Sequence, residues 1–310
     1  MKTLHFIHLL GIVLLIWLVS NLDLVEFKRV LMDASVPYIL LGLLVSAPVT
    51  ALKIWRQQIS LRIFGLDTKI FWNWRVFNIA NLFAMSTPGR IGEVTRITFF
   101  TKQGLSLNKA SQVFLGEKLF ELSILGLVTL CLIPILFISP FSSKLFSNGM
   151  PKVVILGVFC AILAALLLVR IFAFEQFFRV ISRIRNQTII AVIKGTWHYS
   201  LTIYLLNCLQ VLLLAFAFGI RCNPLLLILC YGIGAIVSSL PISISGLGTR
   251  EAVFLALLSD NTNSTSSVFA LSITDGLISP VITLLISQLL YFSIFSVSKL
   301  WSFRPQKFRP

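Results

Sequence analysis

The sequence is poor in charge, and in acidic residues above all. Only 12% of its 310 residues are charged, with 11 Asp and Glu against 26 Lys and Arg, whereas a soluble domain usually carries about a quarter charged residues. Apolar residues make up 57% of the chain, and apolar runs recur along almost all of it, leaving no polar block long enough to fold in water. We therefore expect one integral membrane domain over residues 1–310, with no attached soluble catalytic domain.

Motifs for metal binding and for hydrolysis are also missing. The five Cys form no C-x-x-C pair and no cluster with the three His, which is the spacing that zinc sites need. Hydroxyls occur at Ser243, Ser245 and Thr249, but no His lies near them to act as a base. We therefore expect no catalytic residue of the hydrolase type, no metal and no cofactor.

The formal charge of +15 indicates the partner. In a chain this apolar, such an excess is typical of a basic cytoplasmic face held against anionic lipid. We expect membrane lipids of the anionic inner leaflet as partners, and no nucleic acid. The segment 175–194, in which Arg alternates with aromatic and aliphatic residues, is typical of an amphipathic helix lying on that inner surface.

Six apolar runs are long enough to cross the bilayer, which takes about 20 mostly apolar residues. They cover residues 4–20, 36–52, 119–138, 153–173, 199–220 and 268–298. Two further apolar stretches, 76–100 and 225–258, are interrupted by residues that break a helix. The predicted backbone breaks are Pro88, Gly89, Gly92, Gly246 and Gly248.

The distribution of Lys and Arg predicts the orientation. These residues collect in the loop 53–75, in the segment after the fourth run and in the tail, so we expect those parts and both termini in the cytoplasm. The stretch 76–100 must then enter and leave from the cytoplasm, and the stretch 225–258 from the opposite face. Both are predicted to be re-entrant hairpins.

Each half of the chain, about 1–145 and 146–310, then consists of span, span, broken hairpin, span. Because three crossings is an odd number, the second half is inserted upside down, which is the inverted-repeat plan of transporters. The predicted fold is an all-α polytopic membrane helix bundle with about six full spans and two re-entrant broken hairpins.

Charged residues inside these apolar stretches are the candidate site. A charge at the bilayer centre costs at least about 2.5–3.5 kcal/mol, so it is normally paired, buried in protein or in water. A guanidinium beside a Gly-flanked break can hold two phosphate oxygens, and we assign lipid head-group contact to Arg90, Arg96 and Arg250. The residues assigned to the cavity's charge balance or to proton coupling are Glu93, Glu117, Glu121, Glu251 and Asp275.

Alternatives stay open for several of these residues. Glu93 and Glu251 either neutralise the nearby arginines when no substrate is present or receive the positive part of a zwitterionic or cationic head group. In the alternative interpretation the Arg–Glu pairs at the breaks only lock the hairpins. Glu117 and Glu121 lie near a helix start, where carboxylates suit the helix dipole. Asp275 lies too deep in its span to reach water, so we expect a buried partner for it.

Three motifs together resemble the lysylphosphatidylglycerol synthase transmembrane-region family. They are Pro88-Gly89-Arg90-Ile91-Gly92-Glu93-x-x-Arg96, Glu117-Lys118-x-x-Glu121 and Gly246-Leu247-Gly248-Thr249-Arg250-Glu251. The family pattern usually has Glu-Arg where this chain has Glu117-Lys118, and an Asp near Glu121; both departures keep the sign of the charge. The resemblance implies a flippase-like protein of a prokaryotic plasma membrane.

Long members of that family carry a cytoplasmic aminoacyl transferase domain after the membrane region, whereas this chain stops ten residues after Leu300. The resemblance therefore implies the translocation part alone, acting on a phospholipid or a polyprenyl-phosphate-linked lipid. Two other functions are left open, a membrane-embedded glycosyl or aminoacyl transfer enzyme or its accessory subunit, and a scaffold. Two protein partners also stay open, a second copy of this chain in a homo-oligomer and a separate lipid-modifying enzyme.

Overall fold

The computed structural model describes residues 2–138, 186–240, 243–259 and 263–294, and in these ranges the chain is built from helices. The α-helices are α1 (Lys2–Ser20), α2 (Leu24–Asp33), α3 (Val36–Ile63), α4 (Ile70–Met85), α5 (Thr95–Lys102), α6 (Leu107–Ile138), α7 (Asn186–Ala217), α8 (Pro224–Ser238), α9 (Thr249–Leu258), α10 (Thr265–Ile273) and α11 (Ser279–Ile294). A 3₁₀ turn, Ile91–Val94, precedes α5, and a π-helical turn, Thr274–Ile278, joins α10 to α11.

The predicted all-α membrane bundle is confirmed. Within the described ranges, three helical stretches are long and apolar enough to cross a membrane, Val36–Ile63, Ala191–Ala217 and Thr265–Gln288, and shorter apolar helices accompany them. The predicted span 153–173, the first part of the predicted surface helix and the tail after residue 294 lie outside the described residues. The count of six spans, the inverted repeat and the sidedness of the termini stay predictions.

Helices α3 and α7 form the most extensive helix pair among the described residues. Gly42 lies against Leu214 near one end of the pair, and Gly195 lies against Ile63 near the other, so the two helices run antiparallel. A Cβ on Gly42 would lie 3.0 Å from the Leu214 side chain. Small residues at such contacts let two membrane helices approach closely and gain packing energy.

Three sequence-based boundaries were wrong, since α6 also begins before its predicted span, at Leu107 and not at residue 119. α3 continues to Ile63 although its apolar run ends at residue 52, and Arg56, Gln57 and Ser60 are buried on its inner face. α7 is already helical at Asn186, so residues 186–194 belong to the long apolar helix and not to a separate surface helix. In α3, Arg56, Gln57 and Ser60 face protein and not lipid, and hydropathy alone does not detect such a segment.

The two predicted helix breaks are both present, and their tips touch. After α4 the chain turns through Gly89 and Arg90, whose φ angles are 54° and 57°, a left-handed conformation that is uncommon for a non-glycine residue. After α8 it turns through Gly246 and Gly248, with φ of 85° and 84°. Pro88 and Ile244 form an isolated antiparallel bridge between the two breaks.

Helix α1 crosses the second break at very short range. A Cβ on Gly11 would overlap with the Ser243 side chain, and a Cβ on Gly248 would overlap with the backbone of Gly11. The tip of the second hairpin therefore lies between α1 on one side and the first hairpin on the other.

Candidate functional site

A cavity of about 470 Å³ lies where the two hairpin tips meet α3, α6 and α7. Its walls are unusually rich in charge for the interior of a membrane protein, with six basic and three acidic side chains among the lining residues. The charged lining residues are Lys53, Arg56, Arg90, Glu93, Arg96, Lys118, Glu121, Arg250 and Asp275.

Glu93, in the 3₁₀ turn after the first break, is shared by three cations. Its carboxylate lies 3.1 Å from Arg90 Nε, 3.3 Å from Arg96 Nη2 and 2.7 Å from Lys118 Nζ. Arg96 also donates to Glu117 Oε2 at 3.0 Å. This group links the first hairpin to α6 and leaves the cations in excess.

Arg90 is the most accessible of the three arginines that the sequence predicted for head-group contact. Its side chain is 34% exposed, against 13% for Arg250 and 4% for Arg96. Its Nη2 donates to Asn81 Oδ1 at 2.8 Å, so α4 as well as Glu93 holds the guanidinium in place. Arg90 is thus fixed from two sides and still open to the cavity.

Arg56 joins α3, α6 and α7 at a second point of the wall. Its Nη2 donates to Glu121 Oε2 at 3.2 Å and its Nη1 to Ser200 Oγ at 3.1 Å. Lys53, one turn earlier on α3, lines the same cavity, and no carboxylate of a described residue lies within ion-pair distance of it. The sequence analysis missed both cations because it placed them in a cytoplasmic loop.

A signal for these two residues was present in the sequence. Lys53, Arg56, Gln57 and Ser60 recur at positions i, i+3, i+4 and i+7, which is the spacing of one helical face. A polar stripe of this kind directly after an apolar run indicates that the helix continues with that face against protein. Lys118, known from its motif but given no role, also lines the cavity.

Arg250 and Asp275 form an ion pair across the second half of the wall. The partner that the sequence analysis expected for Asp275 is therefore Arg250. Gln210 Nε2 donates to Asp275 Oδ1 at 3.4 Å and to Ser279 Oγ at 2.6 Å. Gly276 follows Asp275, and a Cβ there would lie 3.0 Å from Arg250 Cδ, so a larger residue would displace the guanidinium.

The π-helical turn positions this carboxylate. Asp275 is its second residue, and Thr274 and Asp275 are both buried. A π-helical turn widens the helix by one residue and changes the direction of the side chains within it, and such turns often occur at functional sites.

Glu251 does not line the cavity, in contrast to its predicted role. Its Oε2 accepts a hydrogen bond from the backbone N–H of Gly248 at 2.6 Å, and its Oε1 accepts one from Ser272 Oγ at 3.3 Å. The side chain therefore caps the N-terminus of α9, where a carboxylate also suits the helix dipole. Arg250, its neighbour in sequence, pairs with Asp275 instead.

Glu117 is likewise absent from the lining and lies behind Arg96, 3% exposed. Of the predicted backbone breaks only Gly89 lines the cavity. Gly92 lies against α4, where a Cβ would overlap with the Phe83 carbonyl group, and Gly246 lies against Ser238. These residues shape the hairpins that carry the charged side chains.

Apolar side chains that reach the outside of the bundle also line the cavity. Ile91, Val94 and Leu122 are 55%, 42% and 40% exposed. Because they belong both to the outer surface and to the lining, they mark a mouth between the 3₁₀ turn and α6. The cavity thus combines basic groups inside with an apolar rim. Among the described residues, no cluster of His, Cys, Asp or Glu could hold a metal ion.

Comparisons with curated proteins and with solved structures find no match. A comparison with protein-family models does find one, to the family described as the lysylphosphatidylglycerol synthase TM region, over residues 6–287. This range contains both helix breaks and all the charged residues of the cavity. The chain belongs to the lysylphosphatidylglycerol synthase TM region family.

Proposed function

We propose that this protein is a flippase-like translocase that moves a phospholipid or a polyprenyl-phosphate-linked lipid across the membrane. Membership of the family makes it a lipid-related membrane protein. One observation carries the further step: a cavity lined by six basic side chains has exposed apolar residues at its mouth. Basic groups suit a phosphate, and the apolar rim suits a lipid chain that stays in the membrane.

In this proposal Arg90 and Arg250 contact the phosphate directly, because each lines the cavity from one hairpin tip. Arg96 adds positive charge and holds Glu93 and Glu117 in position. Glu93 serves as the resting partner of Arg90, and a phosphate oxygen entering the cavity replaces it. Exchanging one anionic acceptor for another avoids leaving a buried guanidinium unpaired, which would be costly.

The contact between the two helix breaks supports a mechanism in which the lipid head group passes through the cavity when the breaks separate. The tips are joined by one short bridge, Pro88 to Ile244, with few bonds to break. If this bridge breaks, the two tips move apart and the cavity opens on the side that the tips had closed. The helices that carry the tips stay packed. We also propose a prokaryotic plasma membrane, from the family to which the chain belongs, and both termini in the cytoplasm, which the Lys and Arg distribution supports.

Reconstitution tests this function. In proteoliposomes with a labelled phosphate-bearing lipid, the wild type is expected to move lipid between leaflets. The Arg90→Ala/Arg250→Ala variant is expected to move lipid at least about tenfold more slowly, since each lost charged hydrogen bond is worth about 1.5–3 kcal/mol. Arg62→Ala is the control, because Arg62 is exposed and pairs with Asp67 outside the cavity. Movement at the wild-type rate in the double variant, inserted to the same level, would refute the assignment.

The same vesicles also test the alternative that the protein is a transfer enzyme. If a labelled donor is converted into a covalently modified lipid, the protein is an enzyme and not only a translocase. The scaffold alternative predicts that neither lipid movement nor product formation depends on Arg90 or Arg250.

A further inference from the structure

The charges of the cavity do not balance. Among the described residues, six cationic side chains line it, and the carboxylates that lie in it or contact those cations number four, Glu93, Glu117, Glu121 and Asp275. Six against four leaves an excess of two positive charges. Glu251 is outside this count because its carboxylate accepts hydrogen bonds from Gly248 and Ser272 and contacts none of the six cations.

One of the excess charges belongs to Lys53. The other five cations each have a carboxylate within ion-pair distance, whereas the ion pairs of the described residues include none for Lys53. Its strongest electrostatic interactions include one carboxylate, Glu121, and three cations, Arg56, Arg90 and Lys118. Lys53 thus adds a positive charge to a region that is already positive.

Hydrogen-bond donors are in excess as well. The Nε atoms of Arg56, Arg96 and Arg250 are buried and have no acceptor in the structure, against two carboxylate oxygens, Glu117 Oε1 and Asp275 Oδ2, that accept no hydrogen bond. A buried donor without an acceptor costs about 1–3 kcal/mol. A head group that offers only acceptors suits walls that are rich in donors, and an ionised phosphate is such a group, whereas an ammonium group brings further donors.

We propose that the cavity selects lipid head groups by their negative charge, and that Lys53 sets this preference. The inference rests on the proposed function and names its substrate class. Phosphomonoester and diphosphate head groups bind most tightly, phosphodiesters with a single negative charge less so, and zwitterionic head groups less again. Aminoacylated head groups with a net positive charge bind least, because they bring a cation into a region of uncompensated cations.

Binding competition in nanodiscs tests the order. The protein is placed in phosphatidylcholine discs with equal amounts of phosphatidic acid, phosphatidylglycerol, phosphatidylethanolamine and lysyl-phosphatidylglycerol, all with the same acyl chains, and the retained lipids are quantified by native mass spectrometry. We expect phosphatidic acid to be enriched over phosphatidylethanolamine by about tenfold or more, the worth of one charged hydrogen bond. Equal retention of the four lipids, or enrichment of the lysyl lipid, overturns the proposal.

Two variants of opposite sign locate the effect. Lys53→Met removes the uncompensated charge and is expected to reduce the enrichment of phosphatidic acid about tenfold. Glu121→Gln removes a counter-charge but keeps an oxygen for Arg56, so the enrichment is expected to rise. Arg62→Gln is the matched control, since it removes one charge from the same helix outside the cavity. The same enrichment of phosphatidic acid in Lys53→Met and Glu121→Gln as in the wild type and in Arg62→Gln overturns the role of Lys53.

Two further arms separate the sources of failure. In the first, inorganic phosphate is added to the same discs at a concentration equal to that of phosphatidic acid. Displacement of phosphatidic acid would assign the site to a free anion and overturn the lipid assignment. Lipid movement is measured in parallel in proteoliposomes. Movement without charge preference contradicts this inference and leaves the translocase function standing, whereas charge-ordered binding without movement supports the preference and contradicts the translocase function.

Discussion

Gly89 donates its backbone N–H to the carbonyl oxygen of Ser243, at an N···O distance of 3.1 Å, and so joins the break after α4 to the break after α8. Residues that sequence separates widely thus meet at one point, beside the cavity that both hairpins line. The bond is between backbone atoms, so it holds the tips together whatever side chains the breaks carry. If the tips separate during transport, this contact is the one that must open.

The first prediction is that locking the tips stops lipid movement. Paired residues in an antiparallel bridge have Cα atoms about 4.5–5.5 Å apart, which is within the range of a disulfide. Pro88 and Ile244 form such a bridge. In a variant whose five native Cys are replaced by Ala, Pro88→Cys/Ile244→Cys is expected to form an internal disulfide on mild oxidation. Translocation should stop and return on reduction.

Each single-cysteine variant serves as the control, because oxidation cannot link its two tips. Peptide mapping by mass spectrometry identifies the crosslink. Failure to form it would mean that the tips do not lie together in the membrane. Full translocation by the crosslinked protein would mean that they need not separate.

Much of this site could be predicted from the sequence, because Pro and Gly have strong local effects. The breaks at Gly89 and Gly248 and the basic residues beside them, Arg90 and Arg250, follow from short motifs in apolar surroundings. The structure brings both arginines into one cavity. Broken helices that carry charge in a membrane protein thus predict, without tertiary information, which residues come together in one cavity.

The rest depended on tertiary contacts. Arg250 pairs with Asp275 and not with its sequence neighbour Glu251. The carboxylate of Glu251 instead accepts a hydrogen bond from the Gly248 N–H at the N-terminus of its own helix. Lys53 and Arg56 were assigned to a loop because counts of Lys and Arg treat every cation beyond an apolar run as exposed. A buried cation needs a partner from another helix, and for Arg56 that is Glu121 on α6.

The second prediction concerns the close contact behind the first hairpin. Gly92→Ala places a Cβ against the backbone of Phe83 and Ala84, which is rigid, and overpacking of this kind costs about 1–3 kcal/mol or more. The thermal unfolding temperature in detergent should therefore fall by several degrees. Gly126→Ala is the matched control, since nothing lies within 4 Å of its Cβ and Ala is favoured over Gly in a helix by about 1 kcal/mol. The same unfolding temperature for both variants would contradict the close packing at Gly92.

The third prediction separates a cap from a cavity residue. Glu251→Ala removes the acceptor for the Gly248 N–H and for Ser272, so stability is expected to fall by about 1–2 kcal/mol, the typical worth of a cap. Glu251→Gln keeps an oxygen at that position and should restore most of the stability. Translocation per folded molecule should match the wild type in both variants.

These two readouts, unfolding temperature and transport per folded molecule, decide between the roles. A Glu251→Gln protein that is stable but no longer moves lipid would show that the negative charge itself serves transport. Glu251 would then belong with the charge-balancing residues of the cavity after all.

The fourth prediction uses the Arg250–Asp275 pair to distinguish a lock from a substrate contact. Asp275→Asn leaves the mostly buried guanidinium without a counter-charge, and breaking a buried pair in this way typically costs about 3–5 kcal/mol. The double variant Arg250→Met/Asp275→Leu removes both charges, and apolar replacements of similar volume are often neutral or stabilising. Its unfolding temperature should return towards that of the wild type.

Asp67→Asn is the control for this series, because the ion pair between Arg62 and Asp67 is exposed. The Arg62 side chain is 57% exposed and the Asp67 side chain 80%, and exposed pairs contribute about 0–1 kcal/mol to stability. Transport then decides the role. A double variant that unfolds at the wild-type temperature but moves no lipid shows that transport needs the charges of this pair, and not only the packing between the two side chains. A double variant that moves lipid at the wild-type rate would instead make the pair a lock alone, and the phosphate would have to be held by Arg90 and Lys53.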